Sequence, residues 1–370
     1  MSARPLSVLQ LTHQGQGAGS TQSIADLSRE LARRGNRVVV GCRRDTLIER
    51  HARDAGLETV ELDFSRLGPL ADQLVRALSD HDIDVVNSHA SRDRRALALL
   101  RWRGRLPQAL VVTRRTMPLT SPLELVAIGA AADRTIAVSH AVVRALRRRL
   151  HPARRLTVIP NGIRLGRIEE ALPEEAMHEA RAVLGDLAGR PVVAVVSRRK
   201  DQQVLLEALA RLATPIVLAL VGVEPDPALA RLAAAAPSRH RVVIVPFVPQ
   251  PLAYYRLATV AALPSRIEGL SQSLLEAMAL GLPCLASDAG GNPDLITHER
   301  TGLLVAPLDA GAWAAALTRV LGEAGLASRL AQAGRDLVRR EFTTERTAER
   351  TELVYREALE RRRARSQATV

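Results

Sequence analysis

Short apolar runs alternate with helix-patterned stretches along almost the whole chain, and this alternation restricts the fold more than any other feature. The first series of runs covers residues 6–11, 38–40, 84–86, 110–112 and 135–138, and a second covers 192–196, 216–221, 242–245, 260–263 and 283–286. Between them, apolar side chains recur at helical spacing, as with Ile24, Leu27 and Leu31 ahead of Gly35. Near-continuous apolar strands separated by amphipathic helices predict parallel sheets covered on both faces. Pro160-Asn161-Gly162 is a strong turn signal at the end of the first series. The charged segment 164–189 that follows reads as a connection. The expected organisation is α/β, with two Rossmann-like domains facing across a cleft. They span 1–167 and 190–345, joined by a linker over 168–189. A charged helix over 346–370 can cross back onto the N-terminal domain. Ligands of such folds bind at the carboxyl ends of the strands.

With 370 residues and 47% apolar content, the chain can fill two cores, and with only three Phe, three Tyr and two Trp those cores must be aliphatic. No run of about twenty apolar residues lacks charge, so no transmembrane helix is expected. The start of the chain lacks a secretory apolar region, and a cytoplasmic address, extending to the inner face of the membrane, is expected. Cys42 and Cys284 read as reduced structural thiols. No Cys/His spacing suggests a metal.

The net charge of +13 is unevenly placed: residues 1–167 carry 28 Arg against 15 Asp and Glu, and the remainder balances at 24 and 24. An anionic partner for the first half, such as a membrane surface, an acidic acceptor or nucleic acid, fits this asymmetry, as does an Arg-rich solvated surface. Residues 141–150 concentrate the pattern, with Val142, Val143, Leu146 and Leu150 on one face and Arg144, Arg147, Arg148 and Arg149 on the other. Such a helix can lie on an anionic bilayer or pack on the sheet, and periodicity does not separate the two.

The densest chemical signal is residues 264–288. A strand ends at Leu263, the chain turns through Pro264-Ser265, and a helix is predicted from near Leu270 to Leu280, closed by Gly281 and Pro283. The amides of Gly269, Leu270 and Ser271 are then expected at a helix N-terminus, where a diphosphate or a sugar hydroxyl can bind. Glu268 and Glu276 flank that turn, and carboxylates accept hydrogen bonds from vicinal hydroxyls. Two glutamates eight apart are common on solvated helix faces. Here they sit in the string PSRIEGLSQSLLEAMALGLPCLASDAGG, which resembles the signature of glycosyltransferase family 4, retaining enzymes of GT-B architecture. Val138-Ser139 and Val158-Ile159-Pro160-Asn161-Gly162 match further landmarks, so the resemblance covers most of the chain.

The resemblance implies that Glu276 holds the donor ribose and that Glu268 lies against the transferred sugar. It also implies that the amides of Gly269, Leu270 and Ser271 touch sugar and phosphate. Ser197-Arg198-Arg199-Lys200-Asp201 follows a strand end, where cations can neutralise a departing diphosphate. Of 52 basic residues, Lys200 is the only lysine. A compact ammonium kept in a chain that otherwise uses Arg marks it as the diphosphate lysine that the resemblance places here. Asp201 stands where the family usually has Gly, and Arg198 and Arg199 are both candidates for the second cation. Glycines at 15, 17 and 19 follow the first strand, and the resemblance makes Gly17 and Gly19 donor contacts. It places His89 near the reacting carbon. Asp93, Arg114, Arg115 and His13 are candidate acceptor contacts. Phe247, after the strand at 242–245, is a candidate base contact.

The implied activity is transfer of a hexosyl group from a nucleotide diphosphate sugar, a UDP-sugar by preference, to an acceptor hydroxyl with retention. No cofactor and no metal are implied, and the setting is cell-envelope glycan or glycolipid synthesis, with an anionic glycolipid as one acceptor. A nucleotide-sugar epimerase on the same fold is the alternative enzyme. An Arg-rich nucleic-acid binder is the non-enzymatic one, disfavoured because stacking aromatics are scarce and no recognition fingerprint is present.

Overall fold

The computed structural model describes residues 4–15, 19–118, 121–224 and 226–367. Two compact units emerge: Met1–Gly162 together with Thr344–Val370, and Ile163–Thr343. The division falls at Gly162 and Thr344, against the expected 167 and 346.

Unit 1 begins with β1 (Ser7–Leu11), α1 (Gly19–Arg33), β2 (Arg37–Cys42), α2 (Leu47–Asp54), β3 (Glu58–Glu61) and α3 (Leu67–Asp80). It continues with β4 (Val85–Ser88), α4 (Ser91–Trp102), β5 (Ala109–Arg114), α5 (Pro122–Ala131), β6 (Arg134–Ala137), α6 (His140–Arg147) and β7 (Leu156–Val158). Its seven strands run parallel in the order β3-β2-β1-β4-β5-β6-β7. Successive side chains of a strand point to opposite faces, and both faces here are apolar. Leu9, Leu11, Leu110 and Val112 pack on one side with Leu74 of α3 and Leu97 of α4. Val8, Ala109 and Val111 pack on the other with Leu27 and Leu31 of α1.

Unit 2 comprises α7 (Leu165–Glu169), α8 (Glu174–Leu184), β8 (Val192–Val196), α9 (Gln203–Leu209), β9 (Val217–Val221), α10 (Pro227–Ala234) and β10 (Arg241–Val245). These are followed by α11 (Leu252–Arg256), β11 (Val260–Leu263), α12 (Gln272–Ala279), β12 (Cys284–Ser287), β13 (Leu303–Val305), α13 (Ala310–Gly322) and α14 (Ala324–Glu341). The sheet order is β10-β9-β8-β11-β12-β13, again parallel. Val193, Val195, Leu218 and Leu220 face α9 and α13, including the buried Trp313, while Val192, Val217, Ala219 and Val221 face α8 and α11.

The segment expected as a linker is part of this second unit. Ala180 and Leu184 of α8 are buried against Val192 and Val217, with Leu172 and Met177 beside them, so its apolar positions are core. Arg256 of α11 also donates to the carbonyls of Ile168 and Glu170, at 2.8 and 2.9 Å.

The chain then returns to unit 1 as α15 (Thr344–Gln367), which lays Ala348, Val354, Tyr355 and Ala358 on the face formed by Val8, Val85 and Val111. Counted by unit, the charge asymmetry persists: unit 1 holds 33 Arg against 20 Asp and Glu, and unit 2 holds 19 basic against 19 acidic residues. The basic segment 141–150 is resolved as a packed helix. Val142 and Leu146 of α6 are fully buried, and the helix ends at Arg147, leaving Leu150 outside it and 77% exposed. Val142 and Leu146 of its apolar stripe are therefore used by the fold, while Val143 is half-buried. No helix among the described residues is long and apolar enough to cross a membrane.

Candidate active site

Each unit reverses its strand order where its first strand meets its fourth: β1 lies beside β4, and β8 beside β11. Loops leaving the carboxyl ends of such a pair diverge to opposite faces of the sheet and leave a crevice for ligands. Of the expected donor residues of unit 2, Arg198, Arg199, Lys200, Glu268, Gly269, Leu270 and Ser271 fall on the loops after β8 and β11, Glu276 on α12 and Phe247 on the loop after β10.

The loop after β8 is folded around Gln202. Its fully buried amide donates to Ser197 Oγ at 3.0 Å and to the Arg198 carbonyl at 2.8 Å, and accepts from the Lys200 amide at 2.6 Å. Lys200 is thereby directed at Glu268, and Nζ and the carboxylate form an ion pair. Burial pushes the Lys200 ammonium down to about 8, with Arg198 adding to the shift and Asp201 opposing it; the pair with Glu268 opposes it too. The two candidate second cations separate. Arg199 is committed to Asp226 at 2.9 Å and to the side chains of Gln202 and Gln203. Arg198 is exposed, with no ion pair among the described residues. Arg198 is thus the cation available to an incoming anion.

Asp201 binds the neighbouring loop. Its carboxylate accepts from the Arg266 amide at 2.9 Å and from the Arg266 guanidinium, and its own amide donates to the Pro264 carbonyl at 3.3 Å. The loop after β11 is held from the other side by Gly290-Gly291. The Gly291 amide donates to the Glu268 carbonyl at 3.0 Å, and Gly290 has φ +57°. A Cβ on Gly290 would stand 2.7 Å from the Glu268 carbonyl oxygen, so only glycine allows this approach.

α12 begins two residues later than expected. Ser271 is its N-cap, its hydroxyl accepting from the Leu274 amide at 3.2 Å, because a serine oxygen replaces the missing carbonyl partner of the first turn. Gly269 and Leu270 therefore precede the helix, and the buried Leu270 side chain leaves only its backbone to a ligand. Glu276, on the buried side of α12, pairs with Arg167 of α7. Phe247, on the loop after β10, is 60% exposed.

In unit 1 the loops after β1 and β4 meet through a polar network. Asp93, expected among the acceptor contacts, has a side chain that is 0% exposed and both oxygens occupied. It accepts from Ser88 Oγ at 2.8 Å, the His89 and Ala90 amides at 3.0 and 2.8 Å, and His13 Nδ1 at 3.0 Å. It acts as the cap of α4 and the anchor of His13, and is not open to an acceptor. His89 is buried and fixed at both nitrogens: Nε2 donates to Gln10 Oε1 at 2.7 Å and Nδ1 accepts from Arg115 Nε at 3.3 Å. Burial, with Arg115 and Arg94 adding to it, holds its pKa well below the usual histidine range, so the ring is neutral. Gln10 and Asn87 both donate to the buried Tyr355 hydroxyl of α15, at 2.9 and 2.7 Å. Arg115 also binds Ser23 and Asn161, so it positions His89 and is not free for a ligand. Arg114, by contrast, is buried, with one Nη left without a hydrogen-bond partner among the described residues. Gly19 opens α1 and is exposed, and Gly17 lies outside the described residues.

Sequence reasoning missed Gln202, Arg167, Gln10 and Tyr355. Gln10 had a signal, a polar residue inside an apolar strand, since buried polar groups are there to bond. Gln202 and Arg167 had none, lying among many polar residues of the same kind.

A family profile described as "Glycosyltransferase Family 4" matches residues 17–167, and one described as "Glycosyl transferases group 1" matches 190–323. A GDP-mannose-dependent alpha-(1-6)-phosphatidylinositol monomannoside mannosyltransferase of Mycobacterium tuberculosis is 30% identical over 315 residues, 78% of this chain and 80% of that one. The chain belongs to glycosyltransferase family 4. A D-inositol 3-phosphate glycosyltransferase of Xylanimonas cellulosilytica is 33% identical over 225 residues, 57% of this chain and 53% of the relative. The chain thus spans about half the length of that relative. The fold is shared with the Anabaena protein HepE, solved in complex with UDP, at a TM-score of 0.79 and 20% identity, covering 94% of this chain and 98% of that one. As a family-4 chain it departs from the usual Lys-Gly pair, and the structure gives the reason: Asp201 ties the loops after β8 and β11 together, a task that glycine cannot perform.

Proposed function

We propose that the protein transfers a hexosyl group from a nucleotide diphosphate sugar to an acceptor hydroxyl, with retention at the anomeric carbon, in envelope glycan or glycolipid synthesis. The observation that carries this reading is the meeting of Lys200 and Glu268 at the switch point of unit 2, with Arg198 exposed beside them. A cation pair serves the diphosphate and a carboxylate serves the sugar hydroxyls. In the free chain Lys200 and Glu268 neutralise each other, as do Arg167 and Glu276. Diphosphate and sugar then replace partners that are already charged, so the site is preorganised.

In the proposed step the bond from the anomeric carbon to the diphosphate oxygen breaks, and the acceptor oxygen bonds to the same face of the sugar. The acceptor proton passes to the departing diphosphate, and Lys200 and Arg198 stabilise its growing charge. His89, neutral and held at both nitrogens, orients and does not exchange a proton. Neither a cofactor nor a metal enters this scheme.

The base is tested first with UDP, as bound in HepE, and then with GDP, named for the mycobacterial relative. The nucleotide that binds raises the melting temperature of the full chain. Lys200→Ala and Glu276→Ala are expected to stay folded and to lose most transfer from the donor so identified. Normal turnover in either purified variant sinks the assignment. Release of an epimerised donor without any acceptor would instead assign an epimerase.

A further inference from the structure

Two arginines of unit 1 stand apart from every other buried charge in the site. Arg94, in the first turns of α4, is 8% exposed, and Arg114, at the end of β5, is 4% exposed. Arg94 Nε and an Nη of Arg114 are buried without a hydrogen-bond partner, and neither guanidinium forms an ion pair among the described residues. A buried cation without a partner is costly, because it gives up water and receives nothing in return. The surroundings do not repair the deficit. Glu124, the carboxylate that acts on both, is bound in a fork by Arg95 at 2.9 and 3.0 Å. Asp93 acts on Arg94 but is filled by its own four donors. Arg149, just beyond α6, adds a further positive charge towards Arg114. Burial, reinforced by Arg94, pushes the Arg114 guanidinium down to about 9. Arg115, next in sequence, is bonded through Nε to His89 and through one Nη to Ser23 and Asn161, so this region can hold an arginine when the fold needs one.

We propose that Arg94 and Arg114 form an oxyanion site that takes the phosphate of a phosphorylated acceptor. Two planar forks with unused N–H groups match a phosphate bidentately, as a lysine pair could not. The inference rests on the transferase reading, which it deepens by giving the acceptor a chemical class.

The test uses the full chain. Inorganic phosphate is titrated at constant ionic strength, with thermal stability and calorimetric affinity as readouts, into the wild type, the double variant Arg94→Met/Arg114→Met, and Lys200→Met. Removal of uncompensated charge leaves the double variant with a melting temperature equal to or above that of the wild type. Its phosphate affinity falls about tenfold to a hundredfold, the loss expected for charge-assisted bonds, while nucleoside diphosphate binding is unchanged. Unchanged phosphate affinity in the double variant, or its loss only in Lys200→Met, overturns the proposal. If the double variant melts several degrees lower or does not fold, Arg94→Lys and Arg114→Lys decide: affinity falls by about threefold or more as the fork is lost, and an unchanged value overturns the site. A wild type that binds phosphate through these arginines but binds no nucleoside diphosphate refutes the transferase reading alone. Vesicles of phosphatidylcholine doped with phosphatidylinositol separate two sources of the phosphate. Sedimentation that needs both arginines assigns a lipid headgroup, and sedimentation indifferent to them, with phosphate binding intact, assigns a soluble sugar phosphate.

Discussion

At the scale of single residues, the chemistry of this chain depends on which charges can exchange their partners. Burial and Arg198 push the Lys200 ammonium down to about 8, against the opposing pull of Asp201 and of the paired Glu268. The sign of the pH effect follows. Nucleoside diphosphate affinity is highest below about 8 and falls as pH rises through that value, the bound anion drawing the midpoint upward. Lys200→Arg keeps its charge and is expected to give a flat profile over the same range. Calorimetric titration across that range checks both, and a flat wild-type profile refutes the assignment. His89 is the opposite case, a residue finished on all sides. Its orientation depends on Gln10, which depends on the Tyr355 hydroxyl. Tyr355→Phe leaves the buried amides of Gln10 and Asn87 without an acceptor, a cost of about 1–3 kcal/mol. The expected result is a melting temperature lower by several degrees and a fall in kcat with KM for the donor little changed.

At the scale of elements, the site is made by two loops that brace each other, and the brace is testable at Gly290. Gly290→Ala places a methyl group against the Glu268 backbone at positive φ, which costs about 1–2 kcal/mol for conformation alone. Weaker donor binding and a lower melting temperature are expected, and an unaffected donor affinity would show that Glu268 needs no such support. The same scale explains what the sequence made legible. The ten apolar runs correspond to central strands and to β10, because strands covered on both faces are written as continuous Val, Leu, Ile and Ala. The three strands it left out, β3 (ETVE), β7 (LTV) and β13 (LLV), are edge strands, short and flanked on one side only. Half-covered strands do not require an apolar run. The start of α12 was read two residues early because Gly269 and Leu270 continue the pattern of the helix, whereas the cap is a matter of which hydroxyl reaches an amide. Lys200 and Glu268 were legible through rarity and spacing. Their direct pairing was not, because it depends on Gln202 and on β8 lying beside β11. The unpaired state of Arg114 was equally hidden, since the sequence does not distinguish it from Arg115.

At the scale of the whole molecule, unit 1 carries all of the net charge of +13 and unit 2 none. This division suits a chain whose proposed acceptor is anionic and whose donor site is balanced by its own ion pairs. Unit 1 is also discontinuous, with α15 supplying Ala348, Val354, Tyr355 and Ala358 to its core. Deleting residues 344–370 is expected to uncover that face and to lose unit 1 to aggregation or proteolysis. The stretch 163–343, which has its own two-faced core, should persist as a protease-resistant fragment; digestion followed by mass measurement reads this directly. During synthesis the same discontinuity sets an order of events. The strands of unit 1 leave the ribosome first, yet the helix that covers them is translated only after all of unit 2. The uninterrupted second unit can close while the first still waits with Val8, Val85 and Val111 uncovered, so the earliest-made part of the protein is the last to be finished and the one most exposed to chaperones on the way.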